Sequence, residues 1–130
     1  MERVKKNSFG FKPLYVWGLV SKGFEYSLIR GGYKADLFFV YPAEDGKVAI
    51  FGHTKTSYNR YFYPKFDLCS GQLRGIRLNV PCNAKELLQL EYGEEWSRPV
   101  SQWNYITSPK NRGPTEYWPK GTVTFQEFKP

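Results

Sequence analysis

The sequence predicts an α+β fold that is rich in antiparallel or mixed β-sheet, with hairpins and one main helix. Short runs of β-branched and aromatic residues are separated by turns such as Gly31-Gly32 and Asp45-Gly46, which is typical of consecutive antiparallel strands. Aromatic residues make up 18% of the chain, and they favour strands. A single amphipathic run with helical spacing follows Pro81. With 130 residues and 41% apolar composition, the chain is predicted to form one globular domain.

Five extended runs are predicted as strands, and the turns between them indicate how they pair. Gly31-Gly32 is a two-residue hairpin signal that joins the first strand to the second. Gly75, preceded by Ser70-Gly71, joins the fourth strand to the fifth as a further antiparallel pair. The predicted strands are residues 25–30, 33–41, 47–51, 62–68 and 76–80.

A carboxylate stands inside the second predicted strand, whose aromatic and β-branched residues indicate burial. Removing a carboxylate from water costs several kcal/mol unless a cation or hydrogen-bond donors compensate it. Asp36 is therefore predicted to be either a metal ligand carried by the strand or an acid on the solvent side of a half-exposed sheet. Because side chains alternate along a strand, Leu37 and Phe39 are predicted to point the other way, into the core.

The hairpin register predicts a second acid beside Asp36. If the two glycines form the loop, Asp36 lies opposite Ser27, and Glu25 is its diagonal neighbour on the same face. The two carboxylates would then be close enough to bind one cation. The alternative is an ordinary surface ion pair of Glu25 with Lys34 or Arg30, which contributes little to stability.

One helix is predicted after Pro81, followed by an irregular segment. Asn83 is predicted to cap the helix, Glu86 to complete a capping box, and Gly93 to end it. The apolar side of the helix consists of Leu87, Leu88, Leu90 and Tyr92. From Glu94 onward, aromatic residues stand among prolines and glycines, which favours an irregular segment anchored by its aromatic side chains.

Charge and hydropathy restrict the partners and the compartment. A net charge of +7 indicates a surface that attracts phosphates, nucleotides or anionic membranes. No stretch approaches the roughly 20 consecutive apolar residues of a transmembrane span. The first residues lead into no apolar signal-peptide core. From the residues alone, the sequence predicts no targeting segment.

The cysteines and the single histidine support no metal or nucleophilic chemistry. Cys69 and Cys82 lack the close pairing of a zinc site and are expected to be reduced structural thiols. The alternative, in an oxidising compartment, is a bridge that closes a hairpin. His53 is predicted to be a solvated surface residue without a role, because it is a lone histidine in a loop after a strand. Without a second histidine, hydrolase and zinc-hydroxide mechanisms lack the partners they need.

Several separated motifs resemble the C-terminal half of the catalytic domain of the LicD/fukutin family of phosphotransferases. Residues 23–25 read G-F-E and residues 34–39 read K-A-D-L-F-F, like the family's acidic hairpin. Residues 80–83 read V-P-C-N and lead into a helix that ends in Tyr92-Gly93, again as in the family. The resemblance covers about residues 9 to 119 of a single partial domain, 1–130. It continues through Tyr63-Pro64, Gly75-Ile76, Trp96, Pro99, Trp103 and Ser108-Pro109.

The resemblance implies part of a nucleotidyltransferase-like fold and transfer of a phospho-alcohol, such as ribitol phosphate or phosphocholine, from a CDP-linked donor to a glycan. It implies Mg²⁺ or Mn²⁺, held by several converging carboxylates because the metal bridges the reacting oxygens of a phosphoryl group. By position Asp36 resembles the catalytic metal-binding acid, with Glu25 beside it. Trp96, Trp103 and Tyr105 would suit a sugar acceptor or pack in the core. Fukutin-type members work at the Golgi membrane.

The sequence departs from the family in its metal site. The Asp-x-Asp pair is missing, since the only acid before Glu25 is Glu2, and the family's glycine-rich entry to the site is missing as well. We therefore expect these residues to be a fragment or a degenerate copy that is inactive alone and needs the upstream half of the domain or a partner chain.

The competing interpretation is a non-catalytic, β-rich module that binds a glycan or nucleic acid. Residues 58–65 read Y-N-R-Y-F-Y-P-K, and interleaved basic and aromatic residues are typical of single-strand recognition. No RNA-binding signature occurs, so nucleic acid is the less favoured ligand.

Overall fold

The computed structural model describes residues 10–129, which form two four-stranded antiparallel sheets, a separate hairpin and one α-helix. The prediction for residues 1–130 also includes 1–9 and 130, which lie outside the described residues. The first sheet consists, in spatial order, of β10 (Phe125–Glu127), β1 (Lys12–Leu19), β2 (Lys22–Arg30) and β3 (Tyr33–Phe38). The second consists of β4 (Tyr41–Pro42), β5 (Lys47–His53), β6 (Ser57–Pro64) and β9 (Arg112–Tyr117). The hairpin is β7 (Leu68–Leu73) with β8 (Ile76–Pro81), and the helix is α1 (Ala84–Tyr92).

The two sheets meet through β2 and β5, where a glycine permits close approach. Gly23 has φ +71°, and a Cβ placed on it would lie 2.8 Å from Cδ2 of Phe51. The buried apolar residues of the described chain are Val16, Ala49, Phe51, Tyr58 and Tyr61. The absence of a side chain at Gly23 therefore sets how closely the core packs.

The β2–β3 hairpin has the predicted register, but its burial differs from the prediction. Ser27 pairs with Asp36 and Arg30 with Tyr33, so Gly31-Gly32 form the loop. However, β3 is an edge strand, and the predicted strand 33–41 divides, since Tyr41 belongs to the second sheet. Leu37 is 49% exposed and Phe39 is 45% exposed. Their prediction as core residues was wrong, because Leu37 is on the edge strand of its sheet and Phe39 lies beyond the end of that strand.

The predicted pairing of residues 62–68 with 76–80 was wrong. Residues 57–64 pair with β5 and β9, and the partner of β8 is β7, with Arg74-Gly75 as the turn. The expectation of reduced thiols was also wrong. Cys69 and Cys82 form a disulfide that closes this hairpin, because pairing of Cys69 with Val80 brings the two cysteines within a Cα–Cα distance of 4.9 Å.

The helix begins and ends as predicted, but its cap differs. Gly93 has φ +86° and donates its N–H to the Gln89 carbonyl. Asn83 makes no side-chain bond to the helix backbone, and its Nδ2 instead donates to Glu86 Oε2 at 3.0 Å. The capping box was therefore wrong, since Asn83 has φ −100° and ψ 40° rather than the extended backbone of a capping residue.

The region after the helix is more regular than predicted. It contributes β9 and β10, each at the edge of a sheet. Pro114 lies within β9, and the missing N–H of a proline is tolerated on an edge strand. In the part of the chain that the structure describes, no helix has the length and hydropathy of a membrane span.

Candidate functional site

A cleft of about 660 Å³ opens between the two sheets. Strands β1, β2, β3 and β10 form one wall, and β5 and β6 form the other. Glu91 of α1 and the loop residues Tyr105 and Pro109 complete the lining. The cleft therefore gathers side chains from both ends of the described chain.

The cleft is acidic although the chain as a whole carries a net charge of +7. Its carboxylates are Glu25, Asp36, Glu91 and Glu127, and its cationic side chain is Lys34. Such a lining attracts cations, and an anionic ligand would enter it only with a cation that offsets the repulsion.

Asp36 lies in the cleft wall with both carboxylate oxygens engaged. Ser27 donates its hydroxyl to Oδ1 at 2.5 Å, and Lys34 Nζ lies 3.0 Å from Oδ2. Lys34 also lies over the ring of Tyr15, 4.8 Å from the ring centroid. Burial opposes the charge of Lys34, but its bonds to Tyr15 and Asp36 outweigh burial and raise the pKa of the amine. The expected central strand was wrong, whereas the expected direction toward an open cleft is confirmed.

Glu25 is the more deeply buried acid of the predicted pair, with 8% of its surface exposed. Ser27 pairs with Asp36, so these two side chains share a face of the sheet. Glu25 is two positions before Ser27 on the same strand, and since side chains alternate, it lies on that face as well. Burial first, and the nearby charge of Asp36 second, raise the pKa of Glu25 to about 7, partly offset by Lys34. Near neutral pH both the protonated and the charged form of Glu25 are therefore populated.

The buried acid makes stability depend on pH. Because the pKa of Glu25 is raised from 4.5 to about 7 on folding, its neutral form contributes stability that is full below pH 4.5 and lost as pH rises through 7. Because glutamine cannot ionise, we expect Glu25→Gln to abolish this loss of stability between acidic and neutral pH. Urea unfolding at several pH values measures it. Glu127→Gln, in the exposed β10, is the control and should keep the wild-type slope; equal slopes in wild type and Glu25→Gln would contradict the burial argument.

Glu25 and Asp36 provide two carboxylates on one face of the sheet, fewer than a two-metal cluster needs. Among residues 10–129, no group of three or more His, Cys, Asp or Glu is placed to hold a metal ion. Mg²⁺ is commonly bound by one or two protein carboxylates and completed by substrate phosphates and water. Glu25 and Asp36 supply that number of carboxylates. Lys34 would have to leave Asp36 Oδ2 for a cation to enter.

The structure brings one of the three predicted sugar-binding aromatics to the cleft. Tyr105 lines it and is 75% exposed. Trp103 packs on Tyr92 of the helix, with ring centroids 4.8 Å apart, and Trp96 follows the helix end, donating its N–H to the Gly93 carbonyl. Neither Trp96 nor Trp103 belongs to the cleft lining.

Sequence reasoning missed the aromatic wall of the cleft. Tyr15 and Trp17 of β1 and Phe125 of β10 stand together, with the Trp17 and Phe125 ring centroids 4.3 Å apart. The alternation of Tyr15 and Trp17 around Val16 could have indicated a strand with an aromatic face. Tyr63, which donates its hydroxyl to Glu91 Oε2 at 2.8 Å, was also missed.

The prediction that His53 is a solvated surface residue was wrong. Its ring lies between Trp17 and Trp118, with centroid distances of 5.9 and 6.1 Å. Nε2 lies 2.6 Å from the Gly23 carbonyl, which can only accept, so Nε2 carries the proton. Burial lowers the pKa of His53 despite that bond. His53 therefore lines the cleft as a partly buried ring whose pKa is lowered.

Most of the basic and aromatic segment 58–65 is buried or half-buried, and Lys65 is exposed. Tyr58 and Tyr61 are buried. Arg60 is paired with Glu44 at 2.9 Å and with Glu116 at 2.7 Å. Two of the tyrosines and the arginine with which this segment would bind a nucleic acid are therefore buried or already paired with carboxylates.

Comparison with known proteins identifies fukutin-type relatives. Over 87 residues, 66% of the chain, it is 34% identical to "Ribitol-5-phosphate transferase FKTN" of Macaca fascicularis and of Homo sapiens, and 32% identical to that of Mus musculus. The matched region covers 19% of each relative, so the chain spans about a fifth of the length of these curated proteins. No family model matches the chain, and no solved structure matches it. The sequence similarity therefore supports a fukutin-like relationship over these residues.

Proposed function

We propose that this chain takes part in glycan-modifying phosphotransfer, in which ribitol phosphate or a similar phospho-alcohol passes from a CDP-linked donor to a glycan. The observation that carries the proposal is the pair of acids, Glu25 and Asp36, in the wall of an acidic cleft. The similarity to ribitol-5-phosphate transferases supports the choice of group transferred.

In this proposal Glu25 and Asp36 bind one Mg²⁺ or Mn²⁺, and Ser27 keeps Asp36 oriented through the bond to Oδ1. The metal, when bound, stabilises negative charge on the transferring phosphoryl group. Lys34, released from Asp36, would then be free to contact the donor phosphate. Because the pKa of Glu25 is about 7, metal affinity should rise as pH increases through neutrality.

The acceptor glycan would lie against the aromatic part of the cleft. Tyr15, Trp17 and Tyr105 present ring surfaces of the kind that sugars contact. The neighbouring carboxylates, Glu91 and Glu127, can accept hydrogen bonds from sugar hydroxyls.

The proposed site is incomplete within these residues, and we propose that further acids come from another segment or a partner chain. Two carboxylates supply too few ligands for the cluster that the phosphotransferase resemblance implies. We also place the activity in the Golgi lumen. The Cys69–Cys82 disulfide supports an oxidising compartment of that kind.

A second candidate is a non-catalytic module that binds glycans in the same cleft. Its specific support is the aromatic wall formed by Tyr15, Trp17 and Phe125 beside carboxylates, a combination common in sugar sites. This candidate needs no metal, so metal dependence separates the two functions.

Calorimetry with CDP-ribitol tests the proposal. We expect weak donor binding that requires Mg²⁺ or Mn²⁺, without release of cytidine monophosphate, because the acids that would complete the site are missing. Asp36→Asn should lose the metal-dependent binding, and Asp45→Asn, in an exposed turn, should keep it. Glycan binding without any effect of metal, together with no donor binding, would favour the second candidate.

A further inference from the structure

Strand β3 forms an edge of the first sheet with which no strand of the described residues pairs. It has six residues in continuous register with β2. The other edges of the two four-stranded sheets are shorter or interrupted, since β4 has two residues, β10 has three, and β9 contains Pro114 and a register shift against β6. A regular edge strand presents a row of backbone groups on which another strand can pair. Of these edges, β3 is therefore the best suited to strand addition.

The outward-facing backbone groups of β3 belong to Lys34, Asp36 and Phe38. Phe39 donates its N–H to the Phe24 carbonyl at 3.1 Å, so its backbone faces β2. Backbone direction alternates along an antiparallel strand, so the other odd-numbered residues of β3 face β2 as well. The even-numbered residues consequently direct their N–H and carbonyl groups away from the sheet. A strand that pairs with this edge has to match their spacing.

The charges on this edge complement a second copy of the same strand running antiparallel. When Lys34 of one copy is opposite Asp36 of the other, outward backbone groups meet outward groups and can exchange hydrogen bonds. A shift by two residues would place Lys34 opposite Lys34, or Asp36 opposite Asp36, and like charges directly opposite are unfavourable. A shift by one residue would bring outward groups against groups that already bond to β2. Charge and backbone direction together therefore select one register.

The other face of β3 fits the same register. Tyr33 of one copy then lies opposite Leu37 of the other, and these side chains are 81% and 49% exposed in the single chain. Ala35 pairs with itself on the two-fold axis, at a position without cross-strand hydrogen bonds, where facing strands approach most closely. A methyl group is small enough for this approach. The pairing thus adds contact between exposed apolar side chains to the backbone hydrogen bonds.

We propose that two copies of this chain pair through β3 as a symmetric dimer, with Lys34 of each copy opposite Asp36 of the other. Lys34 lies 3.0 Å from Asp36 of its own strand, and in the dimer it gains a second carboxylate as a neighbour. A lysine on an edge strand opposes pairing with an apolar peptide, but here it fits a strand that carries the complementary acid. The proposal is independent of phosphotransfer, because no metal takes part in the pairing.

Sedimentation velocity of the full chain over a range of concentrations, in buffer with EDTA, tests the proposal. We expect a dimer that dissociates on dilution. EDTA removes divalent metal, so an association bridged by a cation between acidic clefts would be lost while the strand-paired dimer persists. Lys34→Glu and Asp36→Lys should each weaken dimerisation about tenfold or more, because like charges then face each other across the axis. The matched control, Lys120→Glu in an exposed turn, should dimerise like the wild type.

Recombining the charges makes the test specific for the register. An equimolar mixture of the Lys34→Glu and Asp36→Lys chains should form a heterodimer, because every acid of one chain then faces a lysine of the other. A chain that carries both substitutions should regain the homodimer. Either rescue also shows that the single variants fail to pair for reasons of charge and not of folding.

Variants on the other face complete the test. Tyr33→Ser combined with Leu37→Ser should also weaken the dimer, whereas Tyr117→Ser should not, since it removes a 72% exposed tyrosine from the edge strand β9. A wild-type chain that stays monomeric at every concentration would overturn the proposal. So would a dimer that requires divalent metal, equal effects of Lys34→Glu and Lys120→Glu, or single charge variants whose mixture remains monomeric.

Discussion

Asp36→Asn is expected to lower metal-dependent phosphotransfer about a hundredfold or more in a protein that joins these residues to the missing acids. The amide has nearly the same shape as the carboxylate, so it can still accept the bond from Ser27. It carries no charge for a cation or for Lys34. Release of cytidine monophosphate from CDP-ribitol, measured with Mg²⁺ or Mn²⁺, checks the effect.

The control for this variant is Asp45→Asn, which makes the same substitution in an exposed turn away from the cleft. It should leave turnover unchanged. Thermal unfolding of both variants should resemble that of the wild type, because Asp36 is partly exposed. Full activity in Asp36→Asn would show that Asp36 is not the metal-binding acid.

Gly23→Ala is expected to reduce the free energy of unfolding by about 3 kcal/mol, the largest effect on stability that we anticipate. The added Cβ would lie 2.8 Å from Cδ2 of Phe51 and 3.2 Å from Cε1 of His53. The positive φ of +71° adds backbone strain. Since Phe51 is in the buried core, the sheets would have to separate. Urea unfolding measures the loss.

Gly31→Ala separates backbone strain from packing. Gly31 has φ +53°, and a Cβ there would meet nothing within 4 Å. We expect it to reduce stability by about 1 kcal/mol, from strain alone. Equal losses in the two variants would mean that the close approach of β2 and β5 contributes nothing.

The part of the site that the sequence predicted depends on local rules. A two-glycine loop fixes the register of the strands beside it, so the positions of Ser27, Asp36 and Glu25 follow from counting. The helix end at Gly93 follows in the same way from a residue that tolerates positive φ.

The remainder depends on contacts between distant parts of the chain. The position of β3 at the edge of its sheet depends on which strands pair. In that sheet β1 pairs on its other side with β10, which comes from a distant part of the chain. The cleft likewise joins Tyr15 to Tyr105 and Glu91. His53 looked exposed because the sequence gives no sign of the tryptophans, Trp17 and Trp118, that pack on its ring. No local sequence pattern predicts these long-range contacts.

Manganese titration observed by nuclear magnetic resonance tests most directly whether Glu25 and Asp36 bind a cation. The paramagnetic ion broadens the signals of nearby residues. We predict selective broadening around Ser27, Lys34 and Asp36, stronger above pH 7 than below it because Glu25 must lose its proton. The broadening should disappear in Asp36→Asn and persist in Asp45→Asn. Broadening that is absent from the cleft, or unchanged in Asp36→Asn, would contradict the account.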